Sequence, residues 1–185
     1  MRDTLVTSEI IEPYASALVS LAQEHDLTER FGADARLLVD LLKESDELTQ
    51  FFSNPLARAE AQKGVLRQLV GEQVHQYMLN FLMLLVDRKR IFLLAGICQQ
   101  YLSRLREINQ TVLAEVTSAV ELSEEQQQTI RDKVIQLTGA RAAELETSVD
   151  ADLIGGVVIK VGSQVFDASL RGQLRRIALS LGRSA

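Results

Sequence analysis

The sequence predicts a two-domain α+β protein, a six-helix bundle followed by a small C-terminal α/β domain. Three observations carry this. Apolar residues recur at helical spacing through the first hundred or so positions. Near Asn109 the period changes, and "TVLAEVTSAV" alternates as a half-buried strand does. The remainder reads strand, helix, strand, strand, strand, helix, the order of a small α+β unit. The boundary falls at residues 106–111, giving domains of residues 1–105 and 106–185. A chain of 185 residues can bury a real core in each.

In order, Thr7 or Ser8 is placed to cap a first helix running to about His25. Thr28 opens a second, with Phe31, Ala35, Leu38, Leu41 and Leu42 at helical spacing. A short third covers residues 47–52 and stops at Asn54-Pro55, because proline restricts the residue before it. Residues 58–70 form a fourth, closed by Gly71. Residues 74–87 form a fifth. A sixth begins at Ile91, with Leu94, Ala95, Cys98, Tyr101, Leu102 and Leu105 on one stripe.

Past the boundary, Val112, Ala114, Val116 and Val120 face one side of a strand, and Glu115 and Thr117 the other. Ser123 and Gln126 fit a capping box. Ile130, Val134 and Leu137 line the helix that follows, and Gly139 ends it. "AELETSV" alternates again, and "VVIKV" and "QVFD" flank Gly162-Ser163 as a hairpin. A last helix spans residues 168–181.

Composition excludes several function classes. A net charge of −5 and a pI near 5.1 argue against general nucleic-acid affinity. One cysteine, Cys98, gives no disulfide framework and no cysteine zinc site, and two histidines are too few for a metal cluster. The first residues lack the long apolar core of a secretory signal, which suggests a reducing compartment. Gly155-Gly156 with Lys160 lacks the Gly-Lys-Ser/Thr end of a phosphate loop and reads as a backbone bend. Cys98 lies on an apolar stripe and reads as an inert buried thiol. His25 and His75 fall at helix ends. Asp46-Glu47 and Glu124-Glu125 sit where helix dipoles favour anions. No catalytic, cofactor or metal site is expected.

What stands out is surplus apolar surface. From Met78 to Val86 only Asn80 is polar, and Asp87, Arg88, Lys89 and Arg90 follow. That is far short of the about 20 apolar residues a membrane span needs. Helix five, from Tyr77 to Val86, is apolar almost all round. Helix one carries an apolar arc of about 200°, wider than the roughly 100° one packed face needs. Either helix five is simply the centre of the bundle with helix one flanking it, or a groove between them also stays open for a partner helix. The basic tail, with Arg171, Arg175 and Arg176, is either a solvated face or a dock for an acidic helix. Nucleic acid is disfavoured there because no aromatic follows Phe166.

"DLIGGVVIKVGSQVFDASLRGQLRRI" resembles the C-terminal signature of the delta subunit of F-type ATP synthases, the oligomycin-sensitivity-conferring protein family. Its matching residues are Asp152, Gly155, Gly156, Gly162, Asp167, Ser169, Leu170, Arg171 and Leu174. "EPYASAL" resembles the family's start, with Pro13, Tyr14, Ala15 and Leu18 in place, and "FFSNP" and the apolar helix before "DRKRI" also match. The resemblance spans nearly the whole chain and looks closest to plastid-type and photosynthetic bacterial members. It implies a non-catalytic stator subunit, one copy in a hetero-oligomeric complex, that links the catalytic head to the peripheral stalk. It also implies that the bundle receives the N-terminal helix of an alpha subunit in a groove between helices one and five. For that groove Pro13, Tyr14, Ala15, Leu18, Leu82 and Val86 are the candidates. The C-terminal domain would grip the ends of the stalk b subunits. The chain would then be peripheral, on the cytoplasmic or stromal face of a thylakoid or plasma membrane. Two alternatives share the residue patterns: an adapter for other helical partners, and a nucleic-acid-associated protein using the basic last helix.

Overall fold

A computed structural model describes the backbone of residues 2–174 and the side chains of residues 9–174. The chain divides into two compact units, Met1–Leu105 and Arg106–Ala185.

The first unit is helical. It contains α1 (Arg2–Glu24), α2 (Thr28–Glu44), α3 (Asp46–Ser53), α4 (Ala59–Val70) and α5 (Gln76–Asp87). A 3-10 turn (Ile91–Leu93) leads into α6 (Leu94–Ile108). The helix expected from Ile91 thus starts as a tighter turn. The first helix also begins earlier than Thr7 or Ser8. Nothing breaks the helical run between Arg2 and Pro13, so both residues lie inside α1 rather than capping it. Pro13 itself sits within α1, where its missing N–H leaves one backbone acceptor unbonded. Ser45 caps α3 by accepting from the Leu48 amide at 3.2 Å, with Asp46 and Glu47 in the first turn. Asn54 ends that helix, as its extended backbone before Pro55 requires.

The core of this unit joins Leu18 and Ala22 of α1, Phe31 and Leu38 of α2, Leu66 of α4, and Ile97 and Tyr101 of α6 around Met78, Leu82, Leu85 and Val86 of α5. Buried polar groups are satisfied, as burial demands. Asp34 accepts from the His75 amide at 2.8 Å and pairs with Arg30 Nε at 3.2 Å. Tyr101 donates to the Thr28 carbonyl at 2.9 Å, and burial pushes its phenol up to about 12. Cys98 is fully enclosed, and desolvation pushes its thiol up to about 12, which keeps it inert. Among the described residues no helix is long and apolar enough to cross a membrane.

Among its described residues the second unit has a four-stranded sheet with α7 (Glu124–Thr138) against it and the start of a last helix. The strands are β1 (Thr111–Ser118), β2 (Ala142–Val149), β3 (Val157–Val161) and β4 (Gln164–Asp167), and α7 (Glu124–Thr138) links β1 to β2. The spatial order is β2-β1-β3-β4. β1 and β2 run parallel, which is why a helical crossover joins them, and the other pairs are antiparallel. Ala114, Val116 and Ile159 on one sheet face pack on Ile130 and Val134 of α7. The register puts Glu115 opposite Lys160 on the other face, where they pair at 3.0 Å. The Ser123–Gln126 capping box is present, and Gly139 ends α7 with φ +69°. Val120 does not join the inward row, because β1 stops at Ser118 and leaves it exposed. The last helix is described only over residues 170–174. The rest of its expected span, with Arg175 and Arg176, lies outside the described residues.

Candidate functional site

An apolar groove runs along the antiparallel pair α1 and α5. It has a volume of about 350 Å³ and is lined by Pro13, Tyr14, Ala17, Leu18, Leu21, Phe81 and Leu84. Each wall follows from helical spacing. Residues 13, 14, 17, 18 and 21 repeat at three and four along α1, and Phe81 and Leu84 are three apart on α5. The rings of Tyr14 and Phe81 meet edge to face at 6.4 Å between centroids. Leu84 is 44% exposed at the rim. Arg90 closes one end, donating to Tyr14 Oη at 2.6 Å. At the other end His25 stacks on Tyr77, with centroids 4.6 Å apart.

The structure sorts the six groove residues read from sequence. Pro13 and Tyr14 line the groove, and Leu18 forms its floor at 1% exposure. Ala15, Leu82 and Val86 do not line it. They are buried on the far side of the same helices, in contact with the core. One hundred degrees per residue turns Leu82 and Val86 inward when Phe81 and Leu84 face the groove. Ala17, Leu21, Phe81, Leu84 and Arg90 are the residues that sequence reasoning did not single out. The three- and four-residue spacing around Tyr14 was the available signal. A second hollow, about 380 Å³, lies where Asn54, Pro55, Ala59, Val86 and Phe92 meet, with Gln62 and Lys89 on its wall.

α5 is held in register by His75, whose Nδ1 accepts from the Tyr77 amide at 3.2 Å as the helix N-cap. α1 is tied to α6 by Glu12. Its carboxylate takes Arg104 and, at 2.7 Å, Gln100, and the Arg104 hydrogen bond holds it below its ordinary range.

In the second unit, most of the C-terminal signature residues build one joint. Gly156 has φ +80°, and a Cβ there would lie 2.9 Å from Ser169 Cα and closer still to the Ala168 carbonyl oxygen. Gly155 passes under the Leu170 side chain and accepts from the Leu170 amide at 2.9 Å. Asp167 accepts from the Ser169 amide at 2.9 Å and its hydroxyl at 2.6 Å, and Ser169 Oγ in turn accepts from the Gly172 amide at 3.0 Å. Aspartate and serine thus cap the last helix while the glycine pair lets the preceding loop press against its start. Gly162 makes the β3–β4 turn with φ +58°. Asp152 stands outside this joint on the exposed 3-10 turn Ala151–Leu153. Arg171 is exposed, and Leu174 is 60% exposed beside the half-exposed Leu170. No group of metal-binding side chains is present among the described residues. The Ser169 hydroxyl and the Asp167 carboxylate are both engaged in capping the start of the last helix.

The family model described as ATP synthase delta (OSCP) subunit matches residues 10–181. ATP synthase subunit delta of Gloeothece citriformis is 56% identical over 98% of this chain and 99% of its own length. Its counterpart in Synechocystis is 56% identical over 98% of each chain, and that of Thermosynechococcus vestitus 55% identical over the whole of both. Among solved structures, a chain of the cryo-EM structure of the Toxoplasma gondii mitochondrial ATP synthase hexamer superposes with a TM-score of 0.71 at 25% identity. That match covers 92% of this chain and 96% of that one. With its family model and full-length relatives in agreement, the chain belongs to the ATP synthase delta (OSCP) subunit family, a non-catalytic structural subunit of that complex.

Proposed function

We propose that the chain is a stator subunit that joins the catalytic head of an F-type ATP synthase to its peripheral stalk, so that proton flow is coupled to ATP synthesis. In this reading residues 1–105 form a six-helix bundle that receives the N-terminal helix of an alpha subunit. Residues 106–185 hold the C-terminal ends of the b subunits, with Arg171 and Leu174 on the stalk side and Asp152 near it. One copy serves each complex, peripherally attached to a thylakoid or plasma membrane on its cytoplasmic or stromal face. The observation that supports this best is the apolar groove between α1 and α5, open to solvent with Leu84 on its rim. A helix laid there would bury the 44% of that leucine still exposed, worth roughly half of the about 1.5–3 kcal/mol that full burial of such a side chain gives.

The test titrates the full chain with a peptide of the alpha-subunit N-terminus. Leu84→Glu is expected to weaken binding by at least about tenfold, about 1.4 kcal/mol, at an unchanged melting temperature. Leu18→Glu, at the groove floor, is expected to unfold the bundle instead. Unchanged affinity in a folded Leu84→Glu chain would sink the groove as the alpha-binding site.

A further inference from the structure

The groove between α1 and α5 has two unlike ends. Near Tyr14 stands Arg90, the last of three consecutive exposed cations, Arg88, Lys89 and Arg90. Its guanidinium donates to the Tyr14 hydroxyl at 2.6 Å and lies 5.3 Å from the ring centroid. Among the described residues none of the three pairs with a carboxylate, and the adjacent Asp87 is already taken by Lys63 at 2.5 Å. A guanidinium resting on a phenol and a ring face keeps its full charge and most of its five donors for another partner. Past Leu21, at the other end, α1 closes with exposed Glu24, and exposed Asp26 follows. Between the ends, Pro13 to Leu21 rises about 12 Å, the length of two to three helical turns.

Resting on the reading of this groove as a docking site, we infer that its occupant is an amphipathic helix with a carboxylate at the end lying over Tyr14, and that Arg90 binds that carboxylate. The apolar walls supply contact but no direction, since a stripe of aliphatic residues fits them either way round. The charge order removes that ambiguity. With its acidic end over Arg90, the helix gains an ion pair beside apolar surface. Reversed, it turns that carboxylate toward Glu24 and Asp26 and leaves Arg90 without an anion. Arginine suits the role because its planar fork takes a carboxylate through two parallel hydrogen bonds. The ring of Tyr14 already orients the guanidinium, so little side-chain freedom is lost on binding.

The experiment uses the full chain and the alpha N-terminal peptide, with each acidic residue of the peptide replaced in turn by its amide. Arg90→Gln is expected to weaken the parent peptide about three- to fivefold and to flatten the salt dependence of binding. Against the peptide amidated at the paired position, the same substitution should cost less than about twofold. Arg90→Glu should then recover affinity for the peptide carrying lysine at that position. Tyr14→Phe keeps the ring and releases the guanidinium, so affinity should stay within about twofold of the parent. If Arg90 only propped Tyr14, Tyr14→Phe would weaken binding as much as Arg90→Gln does, and the inference fails. Leu84→Glu separates the inference from the reading beneath it. Binding lost in Leu84→Glu but unchanged in affinity and salt dependence in both Arg90 variants overturns the role of Arg90 and leaves the groove standing. Binding that survives Leu84→Glu removes the groove and the inference together.

Discussion

Gly156 shows how one backbone position can set the packing of a whole joint. Its φ of +80° is costly for any residue with a Cβ, and the space a Cβ needs is held by Ala168 and Ser169. Gly156→Ala should therefore destabilise the second unit by about 1–3 kcal/mol, read as a lower urea midpoint for loss of its strand signal. Gly156→Asp should do at least as much. At Glu12 the expected effect depends on pH. Hydrogen bonding from Arg104 holds its folded carboxyl below the ordinary value of 4.5. The stabilisation is thus complete above that value and drains away as pH falls through the lower folded one. Glu12→Gln should flatten the acid limb of the stability curve below about pH 4.5 and leave its neutral limb parallel to the parent's. Acid unfolding curves of the two proteins decide this.

At the scale of elements, most of the helices and strands were legible because each announces itself in period and punctuation. Ser123 and Gln126 make the expected box, Gly139 takes the left-handed cap, and Gly162 turns the hairpin. Where the reading missed, the physics was of another kind. Thr7 and Ser8 resemble caps, but a helix with no breaker before Pro13 simply continues through them. His75 stands at a helix start as its position in the sequence suggests, and there its ring nitrogen does the work of a serine hydroxyl, a role the sequence does not announce because histidine is not among the preferred caps. His75→Ala should cost the first unit about 1 kcal/mol, and His75→Asp should recover at least half of it, by thermal melting. α5 posed the hardest case. Apolar all round, it gave no contrast from which to tell its core side from its open side. Leu82 and Val86 looked as suitable for the groove as Phe81 and Leu84. Only the positions of α1 and α6 decide between them, and those are set by residues far away in sequence.

For the whole molecule, the two units differ in how much core they own. Among the described residues, the first buries a large cluster drawn from every one of its helices, while the second buries a cluster of five between a sheet and α7. Apolar area removed from water is the main source of stability, so we expect the second unit to be the weaker of the two taken alone. A fragment ending at Ile108, where α6 closes, should keep helical circular dichroism and melt cooperatively. Lack of a cooperative transition in that fragment would deny the first unit its autonomy. In the full chain the strand signal should be lost at lower denaturant than the helical signal, and a single coincident transition would count against two separable units.

The rings of the chain fall unevenly between those units. There is no tryptophan, and all three tyrosines, Tyr14, Tyr77 and Tyr101, belong to the first unit, whereas the second holds only Phe166. The tyrosine signal in the near-ultraviolet therefore reads the first unit alone. Tyr101 is sealed in the core, Tyr77 lies against a histidine, and Tyr14 faces the groove under a guanidinium. Whatever settles over Tyr14 alters the light it absorbs and emits, so the protein carries its own optical probe of occupancy, with no label attached.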